Sequence, residues 1–234
     1  MPETISTEVR SGVLLITLRR PEKRNAMNNA MAIEMRDELD HLTDVGAVVI
    51  TGDERAFSAG ADLAEGVDAD PATGNGWFAT FDRLAALPLA VVAAIEGHCL
   101  GGGLELALCC DIRVASSTAR LGSPEITFGH WPGGGATLRL PRVVGLARAK
   151  HLILTGQPID AATALEWGLV TDVAPAGGAL ETALLLARTL ATREPEAIRA
   201  AKALAEASLD GSMADGLRAD RSMWLAFSAT RRDS

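Results

Sequence analysis

Short blocks of apolar residues separate polar segments along the first two thirds of the chain. Residues 7–10 and 13–18 alternate or run apolar on either side of Ser11-Gly12, a pattern typical of a β-hairpin. Residues 46–51 and 91–95 are almost wholly apolar, as in strands that are covered on both faces. Because helical segments lie between these strands, the pattern predicts an α/β protein.

Helical spacing of apolar residues dominates the rest of the chain. In the first half this spacing occurs between residues 29 and 42 and between residues 77 and 87. Four clear helical segments follow later, at 145–154, 160–167, 179–192 and 195–207. Strand, turn and helix units thus occupy residues 1–175, and a helical region occupies residues 176–234. This change predicts a domain boundary near residue 175.

Residues 95–111 combine a strand exit, three consecutive glycines and an apolar helix that carries one carboxylate. Gly101 to Gly103 lack Cβ atoms, so a ligand or another backbone segment can approach closely. The amides of the first helical turn have no partner within the helix and form a cluster of donors suited to a phosphate or an oxyanion. Glu105 lies in the apolar helix, where an ionised carboxylate is costly unless it is paired or used. This stretch is the predicted centre of an active site.

A purely structural interpretation of the same stretch also fits. The glycines then allow a strand and a helix to pack closely, and Glu105 pairs with an arginine or lysine elsewhere in the chain. Nucleotide-binding interpretations fit less well. The chain contains no Gly-x-x-x-x-Gly-Lys-Ser/Thr sequence, and its first strand does not lead into a Gly-x-Gly-x-x-Gly turn.

Two further segments contribute candidate site residues. The turn at 58–61 consists of small residues after a strand, and it frees backbone amides near a strand end, where α/β proteins commonly bind ligands. Residues 121–135 are rich in glycine, proline and aromatic residues, which is typical of a functional loop. Within this loop Glu125 is either a second reactive carboxylate or a side chain that caps backbone amides. Its neighbours His130 and Trp131 are more typical of packing than of catalysis.

Composition limits the class of protein. At 234 residues and 48% apolar, the chain can bury a large core, and its net charge of -8 argues against nucleic acid as the main partner. A polar N-terminus without a signal segment, and no apolar run long enough to cross a membrane, predict a cytoplasmic protein. The three cysteines lie in apolar sequence, as expected of buried thiols in a reducing compartment. The histidines show no metal-ligand spacing, so no metal site is predicted.

Several motifs occur together in one order. They are RRPEKRNAM at 19–27, FSAGADL at 57–63, AIEGHCLGGGLELALCCD at 94–111, LGSPEITFGHWPGGGATLRLPRVVG at 121–145 and LTGQPIDAATALEWGLVTDVAP at 154–175. In this order and spacing they resemble the crotonase superfamily, the enoyl-CoA hydratases and isomerases. The resemblance covers most of the chain. It implies a spiral of repeated ββα units followed by a helical C-terminal region that mediates trimers, often paired into hexamers.

The same resemblance implies roles for individual residues. The backbone amides of Ala61 and Gly102 correspond to an oxyanion hole that holds the thioester carbonyl of an acyl-CoA. Glu105 and Glu125 correspond to the two glutamates of the hydratases, with Glu125 handling the proton at C2 and Glu105 orienting the water. Mutual repulsion and desolvation of such a pair raise at least one apparent pKa toward neutrality. The implied reaction adds water to a 2-enoyl-CoA and gives a 3-hydroxyacyl-CoA.

Further implications concern coenzyme A and the assembly. Arg24, Ala26, Ala59 and Asp62 resemble positions that contact coenzyme A. Since coenzyme A is part of the substrate, no separate cofactor is expected. The implied assembly is a homotrimer or a hexamer, without a nucleic-acid or membrane partner. The helical C-terminal region is shorter than usual for the family.

Two alternatives to hydration remain open. A Δ3,Δ2-enoyl-CoA isomerase needs no water and commonly keeps only the later glutamate, so the presence of Glu105 favours hydration. A catalytically silent acyl-CoA-binding member would keep the fold and the oxyanion hole, but such relatives usually lose a glutamate. His130 and Trp131 stand where typical hydratases have small or aliphatic residues, which predicts a reshaped acyl pocket.

Overall fold

The computed structural model of the chain describes residues 3–65 and 76–230. Its internal contacts divide the chain into two units, one ending at Thr192 and the other beginning at Arg193. The first unit contains two β-sheets with seven of the helices described here, and the second contains two helices.

Six strands form the larger sheet of the first unit. They are β1 (Ile5–Arg10), β2 (Val13–Leu18), β3 (Ala47–Thr51), β5 (Ala90–Ile95), β7 (Ile112–Ser116) and β10 (Asp172–Ala174), in the order β1-β2-β3-β5-β7-β10. The β1–β2 pair is antiparallel and forms the hairpin that the sequence predicts, whereas the other neighbouring pairs are parallel. Every residue of β3 and β5 is buried, which explains their continuous apolar sequence.

Four short strands form a smaller sheet. They are β4 (Ala56–Ser58), β6 (His98–Leu100), β8 (Arg120–Gly122) and β9 (Ile159–Asp160), with β4, β6 and β8 parallel and β9 antiparallel to β8. The chain passes from the larger sheet to the smaller one at Gly97, which has a φ of 55°. A Cβ atom at Gly97 would lie 2.1 Å from the carbonyl oxygen of Arg55, so only glycine fits this close crossing.

Seven helices of the first unit lie between and after the strands. They are α1 (Asn29–Asp40), α2 (Trp77–Ala85), α3 (Gly102–Leu108), α4 (Ala136–Val144), α5 (Leu146–Thr155), α6 (Ala161–Glu166) and α7 (Ala179–Ala191). Helix α1 starts after Asn28, whose side chain accepts a hydrogen bond from the amide of Met31 at 3.0 Å. Two strands followed by a helix recur four times, ending with α1, α2, α3 and α4, which confirms the predicted α/β fold of repeated ββα units.

Buried apolar residues cover both faces of the larger sheet. One cluster lies on the side of helices α1, α2 and α3, and a second packs the small side chains of α7 against the strands. Because α7 shares the core of the sheet, the contact-based division after Thr192 differs from the sequence-based boundary near residue 175. The three cysteines are free and buried, and burial raises the pKa of the Cys109 thiol to about 12.

The second unit contains helices α8 (Pro195–Ala207) and α9 (Met213–Thr230). Pro195 occupies the first turn of α8, where its missing amide hydrogen costs nothing. No residue of α8 is buried, and in α9 Trp224 and Leu225 are 65% and 69% exposed. Across the described ranges, no helix is both long and apolar enough to cross a membrane.

Candidate active site

A pocket with a volume of about 460 Å³ lies in the first unit, where the segments that follow β4 and β6 meet. Its lining includes Ala61 and Gly102, the two residues with candidate oxyanion-hole amides, and both candidate glutamates, Glu105 and Glu125. The structure therefore brings together four residues from three separate segments of the sequence. The pocket lies at the ends of parallel strands, the usual location of ligand sites in α/β proteins.

The turn after β4 and the start of α3 lie in close contact. A Cβ atom placed on Gly60, whose φ is 99°, would lie 2.9 Å from the carbonyl oxygen of Leu100 and 3.3 Å from the amide nitrogen of Gly102. A Cβ atom placed on Gly102 would lie 3.5 Å from the amide nitrogen of Ala61. The glycines thus allow two backbone amides from different segments to come near one point.

Neighbouring amides in these two segments are engaged. The amide of Gly60 donates to the Ser58 hydroxyl at 3.1 Å, and that of Asp62 donates to the Met27 carbonyl at 2.9 Å. By contrast, the amides of Ala61 and Gly102 donate to no acceptor among the residues that the structure describes. Two donors that face a pocket without an internal acceptor are the arrangement that an oxyanion hole requires.

Gly103 has a different role from Gly102. A Cβ atom on Gly103 would lie 2.6 Å from the carbonyl oxygen and 2.7 Å from the Cβ of Ser58, so glycine is needed for α3 to pack against β4. The Ser58 hydroxyl in turn donates to the Asn25 carbonyl at 2.8 Å, which fixes the position of β4. Close packing and free amides, the two interpretations of the glycine run, therefore apply to different glycines of that run.

Glu105 lies on α3 and is only 5% exposed. Its Oε1 accepts a hydrogen bond from the amide of Ala136 at 3.1 Å, and the amide of Gly134 also binds this carboxylate. Burial raises the pKa of Glu105, these amides oppose the rise, and the negative charge of Glu125 adds to it. No lysine or arginine of the described chain forms an ion pair with Glu105. Its partners are backbone amides, not the basic side chain of the structural interpretation.

Glu125 begins a 3-10 turn, Glu125–Phe128, and is 7% exposed. Its Oε2 accepts a hydrogen bond from the Ser123 hydroxyl at 2.7 Å. Its Oε1 is buried and has no hydrogen-bond partner within the described ranges. A Cβ atom on Gly101 would lie 3.4 Å from this oxygen, which places Oε1 beside the turn that leads into α3. A buried carboxylate oxygen without a partner is costly in a purely structural role, so it indicates a ligand or a reacting group.

The four candidate coenzyme A positions are only partly brought together. Ala59 and Asp62 line the pocket, whereas Arg24 and Ala26 are not among its lining residues. The carboxylate of Asp62 pairs with Arg20 at 2.8 Å, and this guanidinium holds the pKa of Asp62 below its usual value. Arg20 also donates to the carbonyl of Ala26 at 2.7 Å. Asp62 therefore fixes the turn in place.

Several groups that shape the site carry little signal in the sequence. Ser123 stands two residues before Glu125, and a hydroxyl so near a loop carboxylate is the sequence signal that could have identified it as a partner. The amides of Gly134 and Ala136 cannot be recognised in the sequence, because every residue except proline has a backbone amide hydrogen. His130 and Trp131 both line the pocket, as expected if these two side chains change its shape. In the described part of the chain, no cluster of three His, Cys, Asp or Glu side chains could hold a metal ion.

Comparisons with known proteins identify the family of the chain. A family model described as enoyl-CoA hydratase/isomerase matches residues 8–233. A probable enoyl-CoA hydratase of Mycobacterium bovis is 42% identical over 99% of this chain and 92% of its own length. The 2,3-dehydroadipyl-CoA hydratase of Escherichia coli is 43% identical over 93% of this chain and 88% of its own.

Solved structures give the same result for the fold. A crystal structure from Thermobifida fusca, of a protein assigned as an enoyl-CoA hydratase and bound to CoA, matches with a TM-score of 0.89 and 33% identity. The match covers 99% of this chain and 95% of that one. The chain belongs to the crotonase superfamily, within its enoyl-CoA hydratase/isomerase family. It is an enzyme of that family, and the superfamily that its motifs predict is confirmed.

Proposed function

We propose that this enzyme is an enoyl-CoA hydratase, which adds water across the C2–C3 double bond of a 2-enoyl-CoA to give a 3-hydroxyacyl-CoA. One observation carries the proposal: two buried carboxyl groups, Glu105 and Glu125, share a pocket with the amides of Ala61 and Gly102, which donate to no acceptor in the described part of the chain. Hydration needs a proton at C2, a water at C3 and stabilisation of the thioester oxygen. These groups can supply all three.

The two amides account for the stabilisation of charge. In the proposed complex the thioester carbonyl oxygen accepts hydrogen bonds from Ala61 and Gly102. When the water oxygen bonds to C3, electron density moves through C2 to this oxygen and gives an enolate. Donors held in place before the reaction stabilise that charge without reorganisation, and one such donor typically contributes about 10²-fold to 10³-fold in rate.

The two glutamates account for the water and the proton. Glu105, held by the amides of Gly134 and Ala136, orients the water toward C3. Glu125 delivers a proton to C2, and the water gives one of its protons to the glutamate pair as its oxygen bonds to C3, so the pair ends the reaction with as many protons as it had at the start. Among the described residues Oε1 of Glu125 has no hydrogen-bond partner, which supports its assignment as the oxygen that meets the substrate. The reaction needs no cofactor beyond the coenzyme A of the substrate.

Coenzyme A contacts are proposed for Arg24, Ala26, Ala59 and Asp62. The family resemblance and the CoA complex of the Thermobifida fusca relative support this assignment. The exposed side chain of Arg24 suits a phosphate, because a guanidinium forms charge-assisted and often bidentate hydrogen bonds with phosphate oxygens. The carboxylate of Asp62 would repel a phosphate, so its contribution is to hold the turn through Arg20.

The decisive experiment is incubation of the purified protein with crotonyl-CoA. Hydration predicts loss of the absorbance of the conjugated thioester and a product heavier by one water. A Δ3,Δ2-enoyl-CoA isomerase would instead interconvert 3-enoyl and 2-enoyl thioesters without a change of mass. A silent acyl-CoA-binding protein would bind the thioester and leave it unchanged. Either of these results would overturn the proposal.

We also propose that the enzyme assembles as a homotrimer or a hexamer. Helix α9 exposes apolar surface that a second copy could cover, at Leu217, Trp224 and Leu225. Light scattering at micromolar concentration should give the mass of three or six chains. A stable monomer would contradict this proposal without affecting the assignment of the reaction.

A further inference from the structure

The pocket contains a large share of the aromatic side chains of the protein. The chain has four tryptophans, five phenylalanines and no tyrosine, and these aromatic residues make up only 4% of it. Five of them line this pocket: Trp77, Phe78, Phe81, Phe128 and Trp131. A chain that is poor in aromatic residues thus concentrates them around one ligand site.

The aromatic side chains come from two separate elements. Trp77, Phe78 and Phe81 belong to α2, with the rings of Trp77 and Phe81 packed at 5.5 Å between centroids. The Trp77 indole also donates to the carbonyl of Asn28 at 3.0 Å, which fixes this ring. Phe128 and Trp131 belong to the loop between β8 and α4. The pocket therefore has an aromatic wall on a helix and another on a loop.

The helical wall begins at the candidate catalytic group. A Cβ atom on Gly134 would lie 2.4 Å from Cε2 of Phe81 and 2.5 Å from Oε2 of Glu105, so ring and carboxylate flank the same glycine. A Cβ atom on the preceding Gly133 would lie 4.0 Å from Cζ of Phe78. The wall thus runs from the carboxylate assigned to the attacking water, past the glycines, toward Phe78. The substituent on C3 of the substrate would extend along it.

The rings of the loop are open to the pocket and to solvent. Phe128 and Trp131 are 60% and 71% exposed, and His130 stacks on Phe128 at 6.4 Å between ring centroids. Such exposed apolar rings become covered when a large apolar ligand binds. A short acyl group that ends near Glu105 would leave them uncovered.

The charges in the pocket also bear on which acyl groups it can accept. Its described lining contains three acidic residues, Asp62, Glu105 and Glu125, with His130 as the one potentially basic side chain and no lysine or arginine. The nearby Arg139 is engaged with the carbonyl of Gly134 at 3.1 Å. An acyl group that ends in a carboxylate would lose its hydration without gaining a fixed cation, which is unfavourable.

From these observations, and resting on the proposed hydratase function, we propose that the preferred substrate is a 2-enoyl-CoA whose acyl chain carries an aromatic ring. A flat ring can stack in offset or edge-to-face geometry against both aromatic walls. A linear alkyl chain of the same size gains apolar burial but not these ring contacts. The pocket selects for an aryl group and against a terminal carboxylate.

The test compares three 2-enoyl-CoA substrates that differ in the end of the acyl chain. One carries a terminal phenyl group that is not conjugated with the double bond, one is linear with the same number of carbons, and one ends in a carboxylate. We expect kcat/KM for the phenyl substrate to exceed that for the linear substrate by about tenfold. It should exceed that for the carboxylate substrate by about a hundredfold, because an unpaired charge is costly to bury.

Substitutions in the two aromatic walls test whether their rings cause this substrate preference. Phe78→Leu and Trp131→Leu keep an apolar side chain but remove a ring, so each should lower the ratio of phenyl to linear kcat/KM by about threefold to tenfold. Trp167→Leu makes the same type of change outside the pocket and serves as the matched control, with the wild-type ratio. A ratio near one in the wild type, a preference for the carboxylate substrate, or an unchanged ratio in both wall variants would overturn the inference.

A binding measurement separates this inference from the proposed reaction. Calorimetry with the saturated phenyl-bearing and linear acyl-CoAs reports pocket preference without turnover. If no enoyl-CoA is hydrated, crotonyl-CoA included, the hydratase function fails, and tighter binding of the phenyl ligand would still support an aryl pocket. If crotonyl-CoA is hydrated but both saturated ligands bind equally, the function stands and the aryl preference is wrong.

Discussion

The two segments that carry the glutamates differ in how they hold a carboxylate. Glu105 lies within helix α3, and its side chain is bound by backbone amides from the loop and from the start of α4. Glu125 begins a 3-10 turn, with one hydroxyl partner at Ser123 and a second oxygen that has no partner in the described chain. One carboxylate is restrained by the main chain, and the other is restrained on one side only.

Because of this difference, two chemically identical side chains can take different roles. Main-chain amides restrain Glu105 firmly, as a group that positions water must be restrained. The unpartnered oxygen of Glu125 is able to give or take a proton at the substrate without first breaking an internal hydrogen bond. These two local environments fit the division of roles that the family resemblance implies and that is proposed above.

The largest effect is expected from removing the acid-base capacity of either glutamate. Glu105→Gln and Glu125→Gln preserve shape, so each should lower kcat for hydration by about 10² to 10⁴ with little change in affinity for a product analogue. The double variant should lose much less than the product of the two single losses, because both residues act in one step. Full additivity of the losses, or hydration by Glu125→Gln at the wild-type rate, would contradict the shared mechanism.

The restraint on Glu105 can be tested separately from its chemistry. Gly134→Ala introduces a Cβ atom 2.4 Å from Cε2 of Phe81 and 2.5 Å from Oε2 of Glu105, so the carboxylate must move together with the neighbouring ring. Since a displacement of about 1 Å can cost up to about 10²-fold, we expect kcat to fall by about tenfold to a hundredfold. Gly133→Ala is the matched control, because its nearest contact is an ordinary 4.0 Å. Equal losses in the two variants would argue against positioning through Glu105.

A smaller effect is expected at the single partner of Glu125. Ser123→Ala removes a hydrogen bond of 2.7 Å to a carboxylate, a contact worth about tenfold in rate if it orients the proton donor. Thr127→Ala removes a hydroxyl from the same turn that donates to the Pro124 carbonyl and does not touch Glu125. Steady-state kinetics should therefore show a loss for Ser123→Ala alone. A comparable loss in both variants would mean that the turn itself was disturbed.

The smallest effect concerns stability and its dependence on pH. Burial raises the pKa of Glu105, so the folded state binds more protons than the unfolded state between the two pKa values. The contribution of Glu105 to the free energy of unfolding is therefore present at low pH and lost as the pH rises through the folded pKa. Glu105→Gln avoids this loss, and its Tm should rise relative to wild type as the pH increases. Thermal unfolding that shows a constant difference would contradict the raised pKa.

Part of the fold could be predicted because burial leaves a simple pattern. The runs at 46–51 and 91–95 predicted β3 and β5, since strands covered on both faces need apolar residues at every position. The smaller sheet left no such pattern. Strands of two or three residues, such as β4 and β6, are too short to show a period of alternation.

The sequence predicts those site residues that are unusual for the segment in which they lie. Glu105 stands out because it is charged within an apolar helix, and Glu125 because it lies in a long glycine-rich loop. The partner of Glu105 does not stand out, since Ala136 binds it through a backbone amide 31 residues away. The difference between the two carboxylates therefore depends on contacts that no local sequence window contains.

The two proposed oxyanion donors of the pocket are main-chain atoms, whereas its aromatic walls are side chains on α2 and on the loop before α4. For protein engineering this separates reactivity from selectivity. Libraries at Phe78 and Trp131 can change which acyl groups are accepted while every residue that supplies a proton, a water position or an amide is retained. The same separation describes how a lineage of such enzymes could gain new substrates by substitutions in its walls alone.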